Sequence, residues 1–362
     1  MTSGDLRADR RVETARALIA DGDDGGALSV LEQTLELTPD WPELHFMLGE
    51  TAVAAGQRDR AVAAFSRYLA LSPEDRHGAL PHLALLGATP APDALPHAYV
   101  TALFDEYAPR FERSLLIDLG YQGPRQLLQA IEAVRGSDAS FGTVLDLGCG
   151  TGLMGEHLRA RSSWIEGVDL SPAMVARAGT KAVYDALHVG ELIGHMAGGK
   201  RCFDLISAAD VLIYLGDLEP FFAATAARLA QSGLLAVTAE AVEADGIGVE
   251  RRLRPSRRFA HAADYLVRTA GAAGLVLRHH ARDMLRRDGA DAVDGHVMVF
   301  ERPPSPVQTV TAPAAGVTAL SRGTSRICSA GNARPSGHRS PAPVPADSVP
   351  PDGRPAPPWR RR

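Results

Sequence analysis

The stretch Val144-Leu-Asp-Leu-Gly-Cys-Gly-Thr-Gly152 decides the fold. An apolar run, Thr143-Val144-Leu145, carries strand-forming residues into an acidic residue, Asp146. Glycines follow at every second position, Gly148, Gly150 and Gly152, and a helix-like stretch, Leu153 to Arg161, comes next. Strand, Gly-rich turn and helix in this order are how a doubly wound α/β sheet makes a cofactor pocket at the carboxyl end of its first strand. The backbone must turn sharply there and approach a ligand that a Cβ would obstruct, which is the reason for glycine.

Two cofactor classes compete for such a loop. A dinucleotide site wants G-x-G-x-x-G. Counted from Gly148 the third position is Leu153 and the pattern fails; counted from Gly150 it is met by Gly150, Gly152 and Gly155. The longer run, Asp-x-Gly-x-Gly-x-Gly from Asp146, resembles motif I of the class I S-adenosylmethionine (SAM) methyltransferases. A carboxylate suits SAM, which presents an ammonium and a sulfonium, and would repel a pyrophosphate. The resemblance implies a Rossmann-like sheet of seven strands with SAM as cofactor. In it, Asp146 reaches the amino-acid end of SAM, directly or through water, beside a loop of Gly148, Cys149, Gly150 and Gly152.

Trp164-Ile-Glu-Gly-Val-Asp169 reads as a second strand, with Ser171 as N-cap and Pro172 at the first position of the helix that follows. An acidic residue at the end of that strand accepts hydrogen bonds from ribose hydroxyls. Asp169 alone would serve NAD as well as SAM; motif I favours SAM. Leu170 and Met174 resemble the apolar residues that flank the adenine in this superfamily, and read equally as core. Ala186 to Glu191 predicts a third strand, with Gly190 and Glu191 at the adenine edge or Glu191 capping the next helix. Phe203 to Gly216 predicts a fourth strand and its loop, with Ala208, Ala209 and the residues to Val211 facing the cofactor and the transferred methyl. A helix over Phe221 to Leu229, a strand over Leu234 to Ala239, a helix over Tyr265 to Ala273, and strands over Gly274 to Leu277 and His296 to Phe300 complete an alternating α/β order.

The N-terminus carries a repeat. Ala27-Leu-Ser-Val-Leu-Glu-Gln-Thr-Leu-Glu-Leu-Thr-Pro39 aligns with Ala61-Val-Ala-Ala-Phe-Ser-Arg-Tyr-Leu-Ala-Leu-Ser-Pro73 at an offset of 34. That period, with small residues where helices touch, is the tetratricopeptide (TPR) signature. It predicts units over 8–41 and 42–75 and a partial capping helix to Leu86, so a TPR module over 8–86. Two units and a cap fall below the usual stable minimum, so the module is expected to pack on its neighbour. It offers a groove for a protein partner, or a dimerisation or lid element.

A Pro-rich linker, 87–97, follows, and the catalytic domain is read over 98–302 with its core at 142–241. The helical stretch Ala98 to Leu115 and Leu119-Gly-Tyr121 resemble the N-terminal helices of the methyltransferases of quinone biosynthesis and of biotin and aconitate metabolism. The resemblance makes Tyr107, Phe111 and Tyr121 lid candidates. The whole order resembles a bacterial group of TPR-containing SAM-dependent methyltransferases.

Composition points to a cytoplasmic protein: 45% of residues are hydrophobic, no run approaches the ~20 apolar residues of a membrane span, and no secretory leader is apparent. Cys149, Cys202 and Cys328 are too few and scattered for a disulfide framework or a zinc site, and no metal is expected. The tail, 303–362, holds thirteen of the 25 prolines and eight Arg against two Asp, and is expected to be disordered. The remainder is more acidic than the net −5 of the whole, which argues against nucleic acid as a partner.

Methyl transfer needs a general base only if the nucleophile starts protonated. Asp210, Tyr214, His188 and Tyr107 qualify by location, and none is diagnostic. The sequence after the fourth strand, Ala208-Ala-Asp-Val, lacks the Asn/Asp-Pro-Pro-Tyr pattern of enzymes that methylate planar amino nitrogens. Arg254, Arg257 and Arg258 form either a carboxylate-holding site or a solvated basic loop. The expected acceptor is an oxygen or carbon nucleophile on a small or carrier-linked molecule. Protein methylation through the TPR groove, and a non-catalytic SAM-binding adaptor, remain alternatives.

Overall fold

The computed structural model describes residues 4–113, 115, 119–242, 248–288 and 291–304, and the tail from residue 305 lies outside the described residues. The chain opens with five helices, α1 (Leu6–Ala20), α2 (Asp24–Leu35), α3 (Pro42–Ala54), α4 (Arg58–Leu71) and α5 (Ala79–Leu85). Asp5 and Asp23 cap the first two by accepting from backbone N–H groups of the first turn. Small residues let the helices approach: Ala8, Ala15, Ala27, Ala52 and Ala61 have no exposed surface, and a Cβ on Gly49 would stand 2.6 Å from the Phe65 ring. Leu28, Leu31, Leu44, Phe65 and Tyr68 fill the space between. Asp75 turns the chain with φ 53° and caps α5, accepting from Ala79 N and Leu80 N.

The segment 87–97 is no free linker. Leu95 is 2% exposed and its N–H donates to the Tyr214 carbonyl, while Gly216 N and Asp217 N both donate to the Asp93 carbonyl. Proline removes donors but leaves carbonyls and an apolar side chain with which a segment can dock.

Two helices, α6 (His97–Tyr107) and α7 (Gly123–Arg135), lead into the sheet domain. There β1 (Phe141–Leu147), α8 (Leu153–Leu158), β2 (Ser162–Asp169), α9 (Pro172–Thr180), β3 (Ala186–Val189), α10 (Leu192–Gly198), β4 (Phe203–Ala208), α11 (Glu219–Arg228) and β5 (Leu229–Ala241) alternate. β6 (Arg251–Leu253), β7 (Phe259–His261), α12 (Ala263–Ala272), β8 (Val276–Asp288) and β9 (Asp291–Glu301) follow. The main strand order is β3-β2-β1-β4-β5-β9-β8, parallel through β5, with β9 antiparallel to β5 and β8. Val144, Leu145 and Leu147 are wholly buried because helices cover both faces. One face packs Leu145, Leu147, Phe221, Phe222, Leu266 and Phe300; the other packs Leu127, Ile131, Val144, Ile165, Leu205 and Leu234.

Among the described residues a two-strand hairpin is added to these seven, so the sheet has nine strands. The β6–β7 hairpin pairs with Glu240 and Ala241 of β5, on the side that β4 vacates after Ala208. Each of its strands has three residues, too few to show an alternation in sequence. The chain steps from β1 outward to β2 and β3 and then returns to β4, so the switch point lies between the carboxyl ends of β1 and β4.

Candidate functional site

At that switch point the loop after β1 places Gly148, Gly150 and Gly152 at φ 64°, 54° and 93°. A Cβ at Gly148 would fall 2.4 Å from Cγ2 of Val211, whereas at Gly150 the nearest atom is 3.9 Å away on Phe111. The loop is therefore packed from behind at Gly148 and open in front at Gly150. Asp169, at the end of β2, holds it in place: Gly150 N donates to Oδ2 and Ser171 N to Oδ1, each at 2.9 Å. Burial pushes the Asp169 carboxyl above its usual range. Ser171 caps α9 by accepting from Met174 N, and Asp105 of α6 accepts from the Ser171 hydroxyl at 2.5 Å.

Asp146 is 1% exposed. Tyr184 OH donates to its Oδ2 at 2.7 Å and Ser207 Oγ to its Oδ1 at 2.8 Å. Burial pushes its pKa up to about 6, against the downward pull of those two hydroxyls. Neither Tyr184 nor Ser207 stood out in the sequence, because an Asp-to-hydroxyl contact across 38 or 61 residues leaves no local pattern.

A cleft of about 1150 Å³, its open mouth included, runs in front of this loop. Of the sequence-predicted cofactor residues, Asp146, Gly148, Cys149, Gly150, Asp169, Leu170, Gly190, Glu191 and Ala209 line it. Three do not. Gly152 is the turn residue before α8 and faces Tyr184 and Lys181. Met174 has no exposed surface and packs with Tyr107 and Ala108. Ala208 is the last residue of β4 and points into the core with Leu212 and Val237. Glu191 caps α10, accepting from Ile193 N and Gly194 N, and still borders the cleft. Gly190 has no atom within 4 Å of an added Cβ, so that side is open.

Of the lid candidates, Phe111 and Tyr121 line the cleft, with Phe104 and Leu115 beside them. Tyr107 is buried against Met174 with the Arg110 guanidinium 4.9 Å from its ring centre. Lys181 joins the stretch that follows α6 to α8, bonding Glu112 Oε1 and Glu156 Oε2 at 2.7 Å each.

The other end of the cleft carries a buried charge cluster. Asp210, at φ 60°, follows β4, and its backbone N–H donates to Thr238 Oγ1. Arg286 Nη1 donates to both Asp210 oxygens, at 3.0 and 3.3 Å, and its Nη2 bonds Glu240. Arg254 Nη1 stands 3.3 Å from Glu240 Oε2. Tyr214 lines the same end, and burial pushes its hydroxyl up to about 12. Of the four base candidates, Asp210 and Tyr214 thus reach the cleft; His188 and Tyr107 do not. His188 stands instead with His195 and Glu166 on the β2–β3 side of the sheet, its Nε2 3.4 Å from Glu166 Oε1.

The basic run is not a solvated loop. Arg257 is 5% exposed and donates to Nε2 of His82 in α5 at 2.8 Å, with its guanidinium 5.7 Å from the Tyr99 ring centre. Burial, reinforced by the Arg257 charge, drops His82 to about 3, so the imidazole stays neutral and accepts. Its ring stacks on Phe65 of α4. This contact seats the helical module on the sheet domain. Arg258, the next residue, lines the cleft.

Residues 119–284 match the model of a methyltransferase domain family, and residues 18–80 match a tetratricopeptide repeat. The sheet domain is a methyltransferase domain. Among solved structures, the chain is similar to the magnesium protoporphyrin IX methyltransferase of Synechocystis PCC 6803 with bound SAH, at 18% identity and TM-score 0.43, covering 57% of this chain and 99% of that one. It is also similar to the cyclase SpnF, at 16% identity and TM-score 0.47, covering 57% and 96%. The N-methyltransferase NodS of Bradyrhizobium japonicum WM9 in complex with S-adenosyl-l-homocysteine gives 17% identity and TM-score 0.42, covering 56% and 99%. No curated protein matches the chain. The methyltransferase domain and the repeat module meet at His82 and Arg257.

Proposed function

We propose that the chain is a SAM-dependent methyltransferase acting on an oxygen or carbon nucleophile of a small or carrier-linked molecule. The observation that carries this reading is the charge of the cleft in front of the Gly-rich loop. Its charged side chains are Asp146, Asp169, Glu191, Asp210 and Arg258, four acids against one base. Such a lining repels a pyrophosphate and attracts a ligand with an ammonium and a sulfonium.

SAM supplies a methyl on a sulfonium that is already a good leaving group. The protein's part is then to bind, orient and keep water out. Gly150 and Gly190 leave open backbone on which such a ligand can lie. A carboxylate has about four acceptor positions, so Asp169 can hold the loop and also accept from ribose hydroxyls. Asp146 has the same spare capacity toward an ammonium. Phe104, Phe111, Leu115 and Leu215 supply the apolar walls. Asp210 is held in the cleft by Arg286, where it can orient a nucleophile's O–H or acidic C–H and take its proton.

Phe104, Phe111, Leu115 and, from the docked segment, Leu95 all line the cleft, and an apolar wall of this kind favours a small acceptor or a slender carrier-linked one over a folded protein. The TPR module serves a protein partner or a second copy. Calorimetric titration with S-adenosylhomocysteine (SAH), with NADH as control, tests the reading. Micromolar SAH binding without NADH binding is expected; NADH binding with no SAH binding overturns it. Incubating labelled SAM with cell extracts then identifies the acceptor.

A further inference from the structure

The β6–β7 turn is built so that two consecutive arginines serve two different sites. Arg257 N donates to the Arg254 carbonyl at 2.7 Å and Arg254 N to the Arg258 carbonyl at 2.8 Å, with Arg257 at φ 58°. Arg257 is spent on the repeat module, bonded to His82. Arg258 lines the cleft with only 13% of its side chain exposed. Among the described residues its guanidinium makes no hydrogen bond. Its nearest carboxylate is Glu240 Oε1 at 4.0 Å, and that carboxylate already bonds Arg286 and stands 3.3 Å from Arg254. The other acid at this end, Asp210, is bonded through both oxygens to Arg286.

A guanidinium carries five N–H donors, and here they face the cleft without a hydrogen-bond partner from the described residues, which leaves them available to a ligand. The planar fork matches a carboxylate, with two parallel charge-assisted bonds. Leu95, Val100, Phe104 and Leu215 line the same cleft and offer nothing polar from their side chains.

We propose that Arg258 anchors a carboxylate carried by the acceptor molecule, so that the substrate is an organic acid with an apolar body. This rests on the methyltransferase reading for the word acceptor, and on the cleft alone for the anchor. The acid group docks at Arg258, the apolar body lies along Leu95 and Phe104, and the nucleophile turns toward Asp210. The packing of Arg257 on His82 fixes the turn, so the repeat module positions the anchor from outside the cleft.

The test titrates the full chain, with and without SAH, against octanoate and its uncharged counterpart octanamide. Octanoate is expected to bind at least about tenfold more tightly, the scale of a charge-assisted bidentate pair. Arg258→Gln removes the preference, and Arg258→Lys, which keeps the charge without the fork, retains part of it. Equal binding of the two probes, no octanoate binding at millimolar concentration, or a preference that survives in Arg258→Gln overturns the proposal. The contrast between the probes in the unaltered protein stands even if a variant fails to fold. SAH titrated in parallel reads the cofactor end separately. Octanoate selectivity without SAH binding keeps the anchor and sinks the proposed function; SAH binding without selectivity does the reverse.

Discussion

Arg286→Met is the most demanding test of the cluster at the end of the cleft. The Arg286 side chain is 2% exposed and bonds Asp210 on one side and Glu240 on the other. Methionine keeps most of the volume and removes the charge. Asp210 loses two bonds, at 3.0 and 3.3 Å, and among the described residues Glu240 keeps the Arg254 and Arg258 guanidinium groups nearby. Removing one partner of a buried pair costs about 3–5 kcal/mol. For a sheet domain of roughly 200 residues that is a fall in Tm of roughly 6–20 °C. The pH dependence reverses as well. In the native protein burial raises the Glu240 carboxyl, but the charges of Arg286, Arg258 and Arg254 outweigh it and hold it below the usual range. Its contribution is thus present above the unfolded-state pKa and lost as pH falls through the folded one. Without Arg286 the burial of Glu240 is opposed only by Arg258 and Arg254, so Glu240 binds protons more readily folded than unfolded and the deficit shrinks as pH falls from about 7 to about 5. Urea melts at both pH values measure it, and adding Asp210→Asn should recover part of the loss. A deficit below about 1 kcal/mol at neutral pH, or one equal at both pH values, refutes the reasoning.

Other expectations follow from the cofactor loop and the interface. Because burial holds Asp146 at about 6, SAH affinity should weaken toward tenfold per pH unit below that value, and Asp146→Asn should bind weakly with a flat profile; an unchanged Kd between about pH 5 and 7 in the native protein contradicts this. Gly148→Ala places a Cβ 2.4 Å from Val211 at φ 64° and should lower SAH affinity at least about tenfold, read by calorimetry. Its partial rescue by Val211→Ala would show that contact, not φ alone, is at fault. His82→Leu leaves the buried Arg257 guanidinium without that acceptor and should cost about 1–3 kcal/mol. A thermal melt unchanged from the native protein would mean that the modules are not joined there.

The parts of the site that follow a strand-turn-helix grammar could be read from the sequence. Asp146, the glycines and Asp169 are close in sequence, and their residue types are dictated by backbone conformation or by position at a strand end. The repeat was legible because a period of 34 residues survives divergence of side chains. What escaped was contact between distant segments. Arg286 lies 46 residues from Glu240 and 76 from Asp210, in a strand whose sequence shows several other arginines. Tyr184 sits in a connection between α9 and β3 that no pattern marks. Met174 and Ala208, read as cofactor contacts with core as the other reading for Met174, are buried away from the cleft. Their positions in the order of elements fit a cofactor contact, but the direction of a side chain, into core or cleft, depends on the twist of each loop.

The scarcity of lysine gives the molecule a chemical handle. The sequence holds only Lys181 and Lys200, and the first of these bridges Glu112, beside Phe111 at the cleft, and Glu156 in the helix after the Gly-rich loop. An amine paired with two carboxylates acylates slowly, because its lone pair is protonated and hindered; loss of the Glu112 contact would release it. Lysine footprinting followed by mass spectrometry therefore reports the Lys181–Glu112 contact at a single residue, with Lys200 as the internal standard, and needs no engineered label.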